Sequence, residues 1–260
     1  MRFSANLSFL FKDAAFGDRF RRAADAGFRG VEFIWPGVDD LDAVVDAVCD
    51  TGLEVALFNF DAGDTAAGDR GLAGVPDRRA QFREDVPVAL ELAVRIGCPR
   101  LNALVGVHQP GLEIEAQLEV ARDNVAWAAE QARAQGADIM IEAVNSCENR
   151  PCLLDTTAKA VSFLDAVGVD NVKLQYDVYH MQRMEGNLAE TISRLLPSIG
   201  HVQIADPPGR GEPGTGEVNH GFVLGLLERS GYGGWVGCED SPSTATTEES
   251  FGWMEELGYA

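Results

Sequence analysis

One feature constrains this chain more than any other. A short, β-branched-rich apolar run, a turn and a longer stretch of helical periodicity recur along it. Eight apolar runs stand out, at 3–8, 30–33, 54–58, 100–105, 139–142, 172–177, 201–205 and 235–239. Helical stripes lie between them. Phe16, Phe20, Ala23 and Ala24 stop at Gly27; Leu41, Val44, Val45 and Val48 follow Asp39 and Asp40 and stop near Gly52. Ile114, Leu118, Ala121, Val125, Ala128 and Ala132 stop at Gly136; Ala160, Val161, Leu164 and Val167 follow Thr156 and Thr157 and stop at Gly168. Asp or Thr can cap such starts, and glycine supplies the left-handed endings. A weak echo, GFRGV at 27–31 and GYGGW at 231–235, marks two passages from helix into strand. Strand–helix repetition implies parallel strands, and closing eight of them removes both sheet edges. A (β/α)8 TIM barrel is therefore expected over residues 1–260 as a single domain, in preference to a doubly wound open sheet, because about 250 residues is the usual size of that barrel.

Composition narrows the partners. With 46% of its 260 residues apolar, the chain can bury a core without staples. Its 41 acidic against 21 basic residues, a net charge of −20, oppose nucleic acid and anionic membrane surfaces. Five cysteines, an odd number with no CxxC pair, suggest free thiols in a cytoplasmic protein, and neither a secretory signal nor a membrane span is visible. The expected partner is a small molecule, with self-association left open.

Two long loops, 60–75 and 206–219, follow strands and so belong at the C-terminal mouth, where barrel active sites are built; they are either lids or plain surface loops. The informative pattern is how the last four strands end. IMIE brings Glu142, LQYD brings Gln175 and Asp177, VQIA brings Gln203, and VGCE brings Glu239. Alternation along a strand lets Glu142, Asp177, Gln203 and Glu239 converge on the mouth if that face points inward. Three carboxylates pressed together repel unless a cation sits among them, and oxygen donors without thiolate suit Mg²⁺ or Mn²⁺. His180, three residues beyond Asp177, is either a donor to substrate or a support for a metal ligand, or else a plain loop histidine. Arg210 suits a carboxylate or sugar-acid anion, or else pairs at the surface with Glu212. His201 is read as a satisfied core histidine, His108 and His220 as surface residues. GRGEPGTGE lacks the context of a phosphate loop.

RFSANLSFLF, AGFRGVEF, AAGDRGLAG, YDVYHMQRMEGNL, GHVQIADPPGRGEPGTGEVN and GYGGWVGCE together resemble the hydroxypyruvate isomerase family, a branch of the xylose-isomerase-like TIM barrels, from end to end. The resemblance implies an aldose–ketose isomerase with Glu142, Asp177, Gln203 and Glu239 as metal ligands, Glu142 and Glu239 as the acid/base pair, and His180 and Arg210 at the substrate. The implied reaction converts hydroxypyruvate to tartronate semialdehyde. A 2-oxo-tetronate isomerase or a ketose 3-epimerase would share its proton chemistry; a metal-dependent endonuclease fits the charge poorly, and a non-catalytic sugar-acid binder would not need both glutamates. Two departures, Thr65 in place of a tryptophan and Ser146 in place of a histidine, sit at the expected mouth.

Overall fold

Each apolar run pairs in parallel with the next, and the eighth closes on the first, so the expected barrel forms. The computed structural model describes residues 1–37 and 41–259; the Asp39–Asp40 cap lies outside them. The strands are β1 (Arg2–Asn6), β2 (Gly30–Phe33), β3 (Glu54–Asn59), β4 (Arg100–Asn102), β5 (Asp138–Glu142), β6 (Val172–Asp177), β7 (Ile199–Ile204) and β8 (Trp235–Cys238). β1 ends two residues before its apolar run does, because the Asn6 side chain accepts from Ser8 N at 3.1 Å and the Asn6 carbonyl accepts from Phe9 and Leu10, turning the chain. β4 is three residues short of expectation: beyond Asn102 the backbone leaves the ladder and its Val105 carbonyl instead receives Gly74 N from the long loop.

The helices α1 (Phe16–Asp25), α2 (Leu41–Thr51), α4 (Ile114–Arg133) and α5 (Thr157–Val167) follow the stripes. Thr156 caps α5 by accepting from Lys159 N, and Gly168 ends it in the left-handed conformation that favours glycine. Periodicity did not single out α3 (Arg79–Ile96), α6 (Val178–Met184), α7 (Leu188–Leu195), α8 (His220–Arg229) or α9 (Gly252–Glu256). The two short ones, α6 and α9, show too little of a stripe to read, and α3 carries Pro87 in its interior.

The main core is an apolar cluster between strands and helices, with Phe20, Phe33 and Phe58 stacked edge-on and face-on within it, and a small separate cluster joins Val107, Val144 and Cys152. The glycine echo has a packing reason. A Cβ on Gly30 would lie 2.6 Å from the Trp235 ring, so the second repeat's tryptophan occupies the space the first repeat's glycine leaves open. No helix among the described residues is long and apolar enough to cross a membrane.

Candidate active site

At the C-terminal mouth the strand ends surround a cavity of about 480 Å³ lined by Glu142, Gln175, His180, Gln203, Arg210 and Glu239, with Thr65, Arg70 and Glu148 from the loops. Glu142 ends β5. Its Oε2 accepts from Asn102 Nδ2 at 2.8 Å and from Gln175 Nε2 at 3.1 Å, while Oε1 faces His180 Nε2 at 3.7 Å. Burial, and next the Asp177 carboxylate, push its acid up to about 8.

Asp177 ends β6 and caps α6: Oδ1 accepts from Tyr179 N and His180 N at 2.7 and 3.4 Å. Its Oδ2 is buried with no hydrogen-bond partner and lies 3.5 Å from His180 Nε2 and 3.7 Å from Arg210 Nη2. The cap also fixes His180 in the first turn of α6, buried rather than on a free loop. The tautomer of His180 follows from its neighbour. Asn145 Oδ1 accepts from Cys147 N and Glu148 N, so Asn145 Nδ2 must be the atom 2.7 Å from His180 Nδ1. Nδ1 therefore accepts, and Nε2 carries the proton toward Glu142 and Asp177. Burial pulls the imidazole down to about 4, which keeps it neutral near pH 7.

Arg210 does not pair with Glu212, which instead accepts from Ser243 N and Oγ. Its Nη2 lies 2.7 Å from Glu239 Oε1, and its plane is held between Phe9 and Tyr179, 4.5 and 5.1 Å from their ring centroids. Burial disfavours its charge, but Glu239, Asp177 and Glu142 outweigh that and hold it more basic than usual. Glu239 is itself pushed well up by burial, against the pull of Arg210.

Among the described histidine, cysteine and carboxylate side chains, the atoms that gather tightly enough for one cation belong to Glu142, Asp177 and His180, within 4.8 Å of one another. Glu239 stands apart from that group, across Arg210. Gln203 lines the cavity with its amide oriented on both sides: Nε2 donates to Glu32 Oε1 at 2.8 Å and Oε1 accepts from Gln175 at 2.6 Å.

Glu32 was not anticipated. It sits in mid-barrel with 0% exposure and accepts from Ser4 Oγ, Asn6 Nδ2, Gln203 Nε2 and His201 Nε2. His201 is thus a core histidine, as expected, although its Nδ1 has no partner. His220 is corrected: it is buried, with Nδ1 3.7 Å from Asp206 Oδ2, because Asn219 caps α8 and turns the helix start inward. His108 is half-buried and bonds the Leu112 carbonyl. Of the two departures, Thr65 lines the cavity, whereas Ser146 faces Asp155 and Cys152 and serves its own loop.

Against known proteins, the pattern of the xylose isomerase-like TIM barrel family matches residues 20–257. The hydroxypyruvate isomerase of Escherichia coli K12 is 43% identical, with 98% of each chain covered. The 2-oxo-tetronate isomerase of Cupriavidus necator is 40% identical over 98% of this chain and 97% of its own. A crystal structure from Brucella melitensis, described as an AP endonuclease of family 2, superposes with a TM-score of 0.93 at 38% identity over 98% of both chains. The chain belongs to the xylose isomerase-like TIM barrel family, within a group whose named members include isomerases.

Proposed function

We propose that this isomerase interconverts an aldose and a ketose form of a short sugar acid, hydroxypyruvate and tartronate semialdehyde, by moving a proton between adjacent carbons. The observation that carries the reading is the pairing, in one cavity, of two buried glutamates beside a histidine whose Nε2 carries the proton. Burial raises both carboxyls in the metal-free cavity.

Glu142 or Glu239 removes the proton from the hydroxymethyl carbon of hydroxypyruvate, giving an enediolate, and the proton is returned to the neighbouring carbon. The hydroxyl proton passes meanwhile from the third-carbon oxygen to the second-carbon oxygen, so the atoms balance. His180 Nε2–H faces Glu142 and Asp177 at 3.7 and 3.5 Å on the cavity wall, where it could donate to a substrate oxygen, and the Asn145 contact keeps the proton on that nitrogen. Positioned acid–base groups of this kind contribute about 10²–10⁴-fold.

The residues fit a hard cation. Asp177 Oδ2 is a buried carboxylate oxygen without a partner, next to the second carboxylate of Glu142. Mg²⁺ or Mn²⁺ held by Glu142, Asp177, Gln203 and Glu239 would polarise the carbonyl as a Lewis acid when bound. Gln203 Oε1 keeps a second lone pair for that role. The neutral His180 would support such a site by donating to the carboxylates. Five free cysteines agree with a cytoplasmic setting.

Proton NMR in D₂O, after chelation and then with Mg²⁺ or Mn²⁺ restored, tests the reading on hydroxypyruvate, 2-oxo-tetronates and ketoses. Metal-dependent deuterium incorporation with formation of the semialdehyde is expected. Inversion of a ketose carbon with no aldehyde formed would refute it in favour of an epimerase.

A further inference from the structure

The acid end of such a substrate needs a cation, and Arg210, the candidate at the Glu239 wall, already faces two carboxylates there. Its Nε donates to the Glu239 carbonyl, its Nη2 to Glu239 Oε1, and Asp177 lies 3.7 Å away. The structure assigns the task to Arg70: we propose that its guanidinium binds the substrate carboxylate and makes the enzyme selective for sugar acids over neutral sugars. The proposal rests on the isomerase reading above and adds its specificity residue.

Arg70 lies in the loop 60–75 and lines the cavity while half-buried. Its donors can be counted. Nε donates to Asn149 Oδ1 at 2.6 Å, and Nη1 to the Thr65 and Asp69 carbonyls at 3.1 and 2.6 Å. Asn149 is oriented in turn, because its Nδ2 donates to the Asn145 carbonyl at 2.9 Å. Of the five N–H groups in a guanidinium, both on Nη2 remain without a protein acceptor among the described residues.

Charge shows the same vacancy. All three acceptors are neutral oxygens, and Arg70 has no ion-pair partner among the described residues. The adjacent Asp69 carboxylate is occupied by Arg78 Nη1 at 2.5 Å and Asp64 N at 2.9 Å. In a chain of net charge −20, a half-buried arginine on a cavity wall with no carboxylate calls for an anion.

The loop that presents it is braced. Gly71 has φ +112°, and a Cβ there would lie 1.9 Å from the Leu104 carbonyl oxygen, so the backbone beside Arg70 rests directly on the end of the fourth strand–loop passage. Gly71 N donates to the Ala62 carbonyl at 3.0 Å, and Gly74 N to that of Val105 at 2.8 Å. Arg70 and Glu142 also border one small gap with Leu104 and Val144. Arg70 and Glu142 thus share a stretch of the cavity wall.

The test compares wild type, Arg70→Met and Arg70→Lys on hydroxypyruvate and on dihydroxyacetone, in which a neutral hydroxymethyl replaces the carboxylate. Calorimetric binding of tartronate, a hydroxy-dicarboxylate, is the second readout. Arg70→Met should lower the kcat/KM preference for hydroxypyruvate over dihydroxyacetone about 10- to 100-fold, mainly through KM, and weaken tartronate by a similar factor. Arg70→Lys should restore part of both. Equal losses on the two substrates, or an unchanged tartronate affinity in Arg70→Met, would overturn the assignment. If wild type turned over neither substrate while tartronate binding still depended on Arg70, the isomerase reading would fail and the anion contact would stand.

Discussion

In the presence of a chelator, with no divalent cation bound, the protein should lose stability as pH rises through the range where most proteins are steadiest. In the folded state Glu142 keeps its proton until about pH 8; the same carboxyl titrates at 4.5 when unperturbed. The folded state thus binds one proton more than the unfolded state between those values. The contribution is fully present below pH 4.5 and is lost as pH rises toward 8, at about 1.4 kcal/mol per pH unit for one proton. Over two units that approaches 3 kcal/mol, a large fraction of the roughly 5–15 kcal/mol by which domains are stable. Urea unfolding in EDTA at pH 5, 6, 7 and 8, for wild type and Glu142→Gln, isolates the term, because self-repulsion of the acidic surface affects both proteins alike. The wild-type curve should be steeper by about 1 kcal/mol per unit between pH 5.5 and 7.5. Adding Mg²⁺ or Mn²⁺ should flatten it and release protons. Parallel curves for the two proteins would mean that Glu142 is ionised in the metal-free fold, and the argument from burial would be wrong.

Three further outcomes are expected. Glu239→Gln should lower turnover by about 10³-fold or more while the far-ultraviolet spectrum stays near wild type; residual turnover above a tenth would remove Glu239 from the proton transfer. Asn145→Asp should replace the donor at His180 Nδ1 with a carboxylate, lift the imidazole from about 4 toward neutrality, and give the pH–rate profile a new limb there; an unchanged profile would contradict the tautomer. Gly237→Ala should cost more than about 3 kcal/mol in chemical unfolding, since the added Cβ would lie 2.2 Å from Glu32 Oε1, and a loss below about 1 kcal/mol would show that the strand can yield.

What could be read from the sequence was what is local. Strand-sized apolar runs gave the barrel, and a carboxylate or amide closing each of four successive runs pointed to the mouth, where Glu142, Gln203 and Glu239 now line one cavity with Asp177 behind His180. The Asp177 cap was not legible, because the seven-residue helix it starts is too short to show a stripe. What was hidden depends on contacts made across the barrel. In GVEF, Glu32 looks like the solvent-facing residue of an alternating strand; it is buried because β1 and β7 deliver Ser4, Asn6, His201 and Gln203 to its two oxygens. The one available signal was a glycine inside an apolar strand, Gly237, which often marks a close approach and here makes room for that carboxylate. Arg70, within AAGDRGLAG, carries no local signal of a role, because nothing in its neighbourhood reveals that Asp69 turns to Arg78 and leaves it unmatched.

These hidden contacts bear on why Gln203 is an amide. The side chain must donate to Glu32 on one side and accept from Gln175 on the other, and Gln175 in turn donates to Glu142. A glutamate there would set a second carboxylate against Glu32 in a dry core, where like charges repel strongly and one must take a proton. A hydrophobic residue would strand donors and acceptors on both neighbours. Only a group with both functions continues the chain Glu32–Gln203–Gln175–Glu142 and still turns an oxygen toward the cavity. The neutral donor at this wall of the site is therefore set as much by the buried glutamate of β2 as by any ion at the mouth, and the polar core and the candidate catalytic carboxylate should respond together when either is changed.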